Sequence, residues 1–231
     1  MKTIGLIGGM SWESTVPYYR LVNETVRERL GGLHSARIVL HSVEFSEIEE
    51  MQRAGAWDDA GRLLAGVARS LESAGADVLV LCTNTMHKVA PAIESAVSIP
   101  FIHIADPTAQ AIHAAGFTRV GLLGTRFTME QDFYRDRLES LHGIEVLVPD
   151  ASDRDTVHRV IYDQLCLGVI DDDSRREYRA IVGRLVDAGA QAVILGCTEI
   201  GLLIGQDDSA VPMFDTTVLH ARAAAEWALD A

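Results

Sequence analysis

Short apolar runs alternate with amphipathic stretches along the whole chain. TIGLIG (3–8), ARIVLHSV (36–43), DVLVLC (77–82) and PFIHIA (100–105) predict four strands. RVGLLG (119–124), IEVLVP (144–149), AVILGC (192–197) and VPMFD (211–215) predict four more. These runs are continuous rather than alternating, which predicts strands buried on both faces of parallel sheets. Between them, residues 13–30, 58–75 and 174–189 carry helical periodicity, and the last two close on Ala-Gly, a helix stop. Alternation of strand and helix is the signature of an α/β protein.

The pattern also repeats. VGLLGT (120–125) echoes IGLIGG (4–9), AGAQAVILGCTE (188–199) echoes AGADVLVLCTNT (74–85), and VPMFDTT (211–217) echoes IPFIHIA (99–105), at offsets of 116, 114 and 112 residues. The expectation is two quasi-repeated, Rossmann-like α/β lobes, residues 1–107 and 108–215, with the final helix (216–231) packing back onto the first. Parallel sheets bind ligands at the C-terminal ends of their strands, so the expected active site is the cleft between the lobes.

Charge and cysteine usage narrow the partners. A net charge of −13 argues against nucleic acid or an anionic membrane surface. Three cysteines at wide spacing, with no CxxC, make a poor disulfide framework. No signal peptide and no membrane span are read, so a cytoplasmic protein with free thiols is expected.

The thiols then set the chemistry. Cys82 and Cys197 are each followed by threonine near a strand end. Aligning the Ala-Gly-Ala triplets at 74 and 188 places Cys82 against Gly196 and Cys197 against Thr83. A shift of one residue turns a strand side chain to the opposite face. Cys82 is therefore expected in the core, the common fate of a free cysteine. The same default holds for Cys166. A cleft between quasi-symmetric lobes can present one acid/base group to each face of a substrate carbon, which suits racemisation. A thiol serves because its pKa, ordinarily about 8.5, responds to nearby dipoles and donors. Helix N-termini after the strands, with Asn84, Thr85, Thr125 and Thr198, offer donors for a carboxylate, and the glycines after the first strand let Met10 and Ser11 approach the ligand or simply make a tight strand–helix turn, two compatible readings.

IGLIGGMSWEST, CTNTMH, LLGTRFTMEQDFY and GCTEI together make the chain resemble the aspartate/glutamate racemases that work without pyridoxal phosphate. The resemblance covers nearly the whole chain. It implies cofactor-independent α-proton exchange by a cysteine pair, substrate binding by these loops, and a homodimer. One position departs from it: the family's first motif is Cys-Asn-Thr, and Thr83-Asn84-Thr85 stands there. Cys197 carries over as the thiol acid/base, with Thr83 on the opposite face, as in the members with a Thr/Cys pair that act on L-aspartate and L-glutamate or more broadly. At the place where acidic substrates are held, Gln52 and Arg53 stand in the first lobe, Arg53 either pairing a distal carboxylate or standing solvated on its helix. Gln164 and Cys166 stand in the second, with no lysine.

Other readings are weaker. IGLIGG lacks the GxGxxG spacing of a dinucleotide site. No HxH or HExxH pattern suggests a metal, and none is expected. His87 is expected to satisfy polar groups near its motif, His103 and His113 to be ordinary strand-end and surface residues, and Glu199 to tune Cys197 or simply begin a helix. Trp12 and Glu13 line the pocket or are structural. A single-cysteine decarboxylase of malonate-type acids and a catalytically weakened amino-acid sensor are the alternatives.

Overall fold

The computed structural model describes residues 1–230. They divide into two compact units: Met1–Ile104 together with residues 220–230, and Ala105–Leu219. Each unit is built on its own four-stranded, wholly parallel sheet.

In the first unit β1 (Thr3–Gly8), β2 (Arg37–Ser42), β3 (Val78–Leu81) and β4 (Phe101–Ile102) lie in the order β2-β1-β3-β4. Helices α1 (Trp12–Leu30), α2 (Phe45–Ala54), α3 (Trp57–Ser73) and α4 (Ala90–Glu94) connect them. In the second unit α5 (Ala105–Ala114) leads to β5 (Arg119–Gly124), followed by α6 (Arg126–Glu130) and α7 (Asp132–Asp136). Then come β6 (Glu145–Leu147), α8 (Ala151–Asp163), α9 (Asp172–Asp187), β7 (Ala192–Gly196), α10 (Ile200–Leu203) and β8 (Met213–Asp215); α11 (Thr216–Asp230) follows, and its residues from His220 onward belong to the first unit. The sheet order is β6-β5-β7-β8. All eight apolar runs form strands.

The continuous runs are explained by burial on both faces. Ile4, Leu6, Val78, Val80 and Cys82 pack against Tyr18, Val22 and Val26 of α1 and against Ala221, Ala224, Ala225 and Ala228 of α11. Ile7, Leu79 and Leu81 turn the other way, onto Leu64, Val67 and Leu71 of α3 and onto Met86, Val89 and Ile93. Each such aliphatic side chain contributes roughly 1.5–3 kcal/mol of burial free energy. The C-terminal helix belongs to this core, and the Lys2 N–H also bonds the Ala228 carbonyl at 2.8 Å. In the second unit, a Cβ on Gly121 would lie 2.9 Å from Leu185 Cδ1, so α9 sits directly on β5 only because no side chain intervenes.

The two ladders share one register. Ile4 pairs with Val78, as Val120 does with Ala192. Leu79 pairs with Phe101, as Val193 does with Met213. The offsets read from the sequence are therefore those of the hydrogen-bonded sheets. Among the described residues no helix is long and apolar enough to cross a membrane.

Candidate active site

In both units the polar loops follow the C-terminal ends of the two central strands. In the first unit β1 ends at Gly8, and Gly9 has φ +93°, where a side chain is strained. The Gly9 N–H bonds Thr15 Oγ1 at 2.8 Å, and the Thr15 hydroxyl donates to the Ser11 carbonyl at 2.9 Å. This tight turn buries Met10.

The loop after β3 carries Thr83, Asn84 and Thr85, all buried, with Thr83 only 6% exposed. The Thr83 N–H bonds the Leu81 carbonyl at 2.9 Å. A short 3₁₀ turn, Thr85–Val89, follows. His87 lies on it, with Nδ1 2.7 Å from the Thr83 carbonyl and Nε2 accepting the Ile104 N–H at 3.1 Å. Gln52 of α2 is buried at the same end of the sheet, its amide donating to Met86 Sδ at 3.0 Å. Met10 and Met86 share one core cluster, so Met10, Gln52 and the Thr83 loop are gathered together.

Cys82 is wholly buried in the α1/α11 core, where burial pushes its thiol far above the ordinary thiol range. Its thiol makes one long bond, to the Val80 carbonyl at 3.9 Å, and otherwise packs among apolar side chains as part of the core.

In the second unit Thr125 caps α6, its hydroxyl accepting the Thr128 N–H at 3.3 Å. Cys197, 7% exposed, follows β7. Its thiol donates to Glu199 Oε2 at 2.9 Å, and the Thr198 hydroxyl donates to the same oxygen at 2.9 Å. The Cys197 pKa is raised well above the ordinary thiol value, first by burial, then by the Glu199 charge and by Cys166. The resting thiol is therefore protonated and hydrogen-bonded to the Glu199 carboxylate.

Supporting residues here carry no sequence motif. The Thr216 hydroxyl donates to the Leu195 carbonyl at 2.8 Å, and the Thr217 hydroxyl to the Thr198 carbonyl at 3.5 Å. Asp215 caps α11 through the N–H groups of Thr217 at 2.8 Å and Val218 at 3.2 Å, and burial raises its pKa. Tyr178, buried near Cys197, donates to the Val157 carbonyl at 2.9 Å and braces α9 on α8. Thr216 and Thr217 appear in the sequence only as the end of the repeated segment VPMFDTT.

Several other expectations resolve. Arg53 is a solvated residue, its side chain 72% exposed and facing Glu49 at 4.0 Å one helical turn away. Gln164 accepts a hydrogen bond from the Ser174 hydroxyl at 2.7 Å. Cys166 lies in the 3₁₀ turn Leu165–Leu167 after α8, half-buried, close enough to perturb Cys197. Trp12 is 61% exposed and lines a shallow apolar hollow with Val16, Tyr19 and Leu40. His103 is not an ordinary strand-end residue: it is buried, its ring 4.4 Å from that of His87. No group of histidine, cysteine or acidic side chains suited to a metal occurs among the described residues.

The family model described as Asp/Glu/Hydantoin racemase matches residues 7–224. A candidate Asp/Glu racemase from Yersinia pestis is 57% identical, with a TM-score of 0.92 over 99% of this chain and 100% of its own. An aspartate racemase homologue from Pyrococcus horikoshii is 35% identical, with a TM-score of 0.85 over 99% and 100% of the two chains. The broad specificity amino-acid racemase RacX of Bacillus subtilis is 23% identical over 95% of each chain. A family match of this extent, on two parallel sheets that each carry their polar loops at the strand ends, is decisive: the chain belongs to the Asp/Glu/Hydantoin racemase family and is an isomerase.

Proposed function

We propose that the protein racemises amino acids without a cofactor, acting on aspartate and glutamate or a broader set, with Cys197 and Thr83 as the two acid/base groups. The observation that carries this reading is positional. Thr83 and Cys197 each stand two residues beyond a paired strand residue, Leu81 opposite Ile7 and Leu195 opposite Leu123.

In the proposed step Glu199 takes the proton of the Cys197 thiol. The thiolate removes the proton from Cα, and the electron pair left on carbon spreads into the substrate carboxylate. The Thr83 hydroxyl then protonates the other face of the carbon. The alkoxide left on Thr83 takes a proton from water, and the Glu199 proton returns through solvent to neutralise the hydroxide. A carbanion is a stronger base than an alkoxide, so donation by Thr83 runs downhill. Abstraction by Thr83 first requires loss of its own proton, which a neutral hydroxyl resists. Asn84, Thr85, Thr125, Thr198, Gln52 and Met10 are assigned to substrate binding. The exposure of Arg53 and the amide at Gln164 support a pocket open to neutral as well as acidic side chains.

The reading includes a homodimer, supported by the exposed apolar side chains of Trp12, Val16, Tyr19 and Leu40, and a cytoplasmic setting, supported by three free cysteines. The deciding experiment incubates each enantiomer of aspartate, glutamate, methionine and leucine with the enzyme in deuterium oxide. Deuterium at Cα of an otherwise intact amino acid, with inversion, is expected. Release of carbon dioxide from a malonate, or binding with no exchange, would replace this reading by a decarboxylase or a sensor.

A further inference from the structure

We infer that His87 is the positioning residue for the Thr83 hydroxyl, acting through the Thr83 backbone. This rests on the assignment of Thr83 as an acid/base group.

The hydrogen-bond partners define the state of the ring. A carbonyl oxygen can only accept, so His87 Nδ1, 2.7 Å from the Thr83 carbonyl, carries the hydrogen. A backbone N–H can only donate, so Nε2, 3.1 Å from the Ile104 nitrogen, presents its lone pair. His87 is thus held in the neutral Nδ1–H form by two backbone groups from different segments. Its own N–H bonds the Asn84 carbonyl at 3.1 Å. One residue therefore clamps the carbonyls of both Thr83 and Asn84, one helical turn before it.

The clamp is itself backed. The His87 ring lies 4.4 Å from His103, 5.5 Å from Phe101 and 5.9 Å from His220. His220 of α11 is fixed by the same logic. Its Nε2–H donates to the Ile102 carbonyl at 2.8 Å, and its Nδ1 accepts from the Tyr18 hydroxyl at 2.8 Å. Phe101 of β4, His103 just after it and His220 of α11 thus surround the ring, with Tyr18 of α1 holding His220 in turn, and His87 transmits their rigidity to the loop that bears Thr83.

Rigidity matters more here than it would for a thiol. A hydroxyl transfers its proton only along a narrow direction, and rotation of the Thr83 peptide would swing Oγ1 off line. Misplacement of a reacting group by about 1 Å costs on the order of 10²-fold in rate. His87 has no assigned contact with the reacting carbon; it acts through the Thr83 carbonyl.

Two substitutions separate the two ring nitrogens. In His87→Asn the amide nitrogen can overlay Nδ1 and keep the bond to Thr83. In His87→Gln the longer side chain can overlay Nε2 and keep the bond from Ile104 while losing that to Thr83. The readouts are inversion and deuterium exchange with retention, the latter needing only the Cys197 side. His87→Gln should lower the kcat for inversion by about 10²-fold, with exchange with retention and KM within about twofold. His87→Asn should restore most of the inversion. Equal loss of both readouts in both variants, or unchanged inversion in His87→Gln, overturns the inference. Thr83→Val is the control. If it inverts substrate normally, the Thr83 assignment fails and the positioning role with it. If it is inactive while His87→Gln is normal, only the positioning role fails. Nitrogen NMR of the wild-type protein gives a second check that needs no variant: an Nε2–H tautomer at His87 would also overturn it.

Discussion

Thr83 and Cys197 occupy one position in two copies of the same sheet. Leu81 pairs with Ile7 and Leu195 with Leu123, and Thr83 and Cys197 each lie two residues beyond those pairs, past Cys82 and Gly196. The two cysteines that look alike in the bare sequence are one residue out of step, and the pleat sends them to different surroundings. Cys82 lies among Leu6, Val80 and Tyr18, whereas Cys197 meets a carboxylate.

Cys197→Ser should lower both exchange and inversion by about 10²–10⁴-fold, the usual contribution of a positioned acid/base group. Enantiomer-resolved exchange in deuterium oxide measures it. Normal turnover in this variant would remove Cys197 from the mechanism.

Thr83→Cys should make exchange with retention similar for the two enantiomers. The equilibrium constant of a simple racemisation is unity, so kcat/KM is bound to be equal in the two directions whatever the catalytic pair. Asymmetry has to show in exchange without inversion, where the Cys197 side runs ahead in the wild type. An exchange ratio unmoved by the substitution would argue that Thr83 is not the second group.

Glu199→Gln should lower the Cys197 pKa, because the charge of Glu199 is one of the causes that raise it, after burial. The thiolate then forms at lower pH. Peptide-resolved alkylation of Cys197 across a pH series would show the midpoint moving down. Turnover should fall at the same time, since the acceptor for the thiol proton is weakened. A midpoint that moves up would contradict the arrangement of these two residues.

Cys82→Ala should leave exchange unchanged and destabilise the fold by about 1 kcal/mol through a small cavity. Denaturant unfolding reads the stability, and the exchange assay reads the function. The thiols also set an alkaline dependence. Burial raises the folded pKa of Cys82 and, with Glu199, that of Cys197. The unfolded chain therefore loses these protons first, so stability declines as pH rises through the ordinary thiol range. Cys82→Ala should flatten that decline.

Most of the fold was legible because it is written in one-dimensional periodicity. Apolar runs of strand length, helical stretches closed by Ala-Gly and a repeat with nearly constant offset specify strands, parallel direction and register. The register then places Cys82 inward and pairs Cys197 with Thr83, since strand side chains alternate with a period of two. What lies at contact distance from these groups was decided only by the tertiary structure. Glu199 lies two residues after Cys197 in sequence, but the bond from the Cys197 thiol to its carboxylate depends on how the chain turns after β7. His103 and His220, read singly, had no pattern to mark them, and both turn in toward His87 from distant segments. The bracing of the Cys197 loop by Thr216 and Thr217 likewise joins β7 to the start of α11. Local spacing determines where a residue sits along its own element. Which partner meets its polar atoms depends on segments tens of residues away, and only packing brings those together.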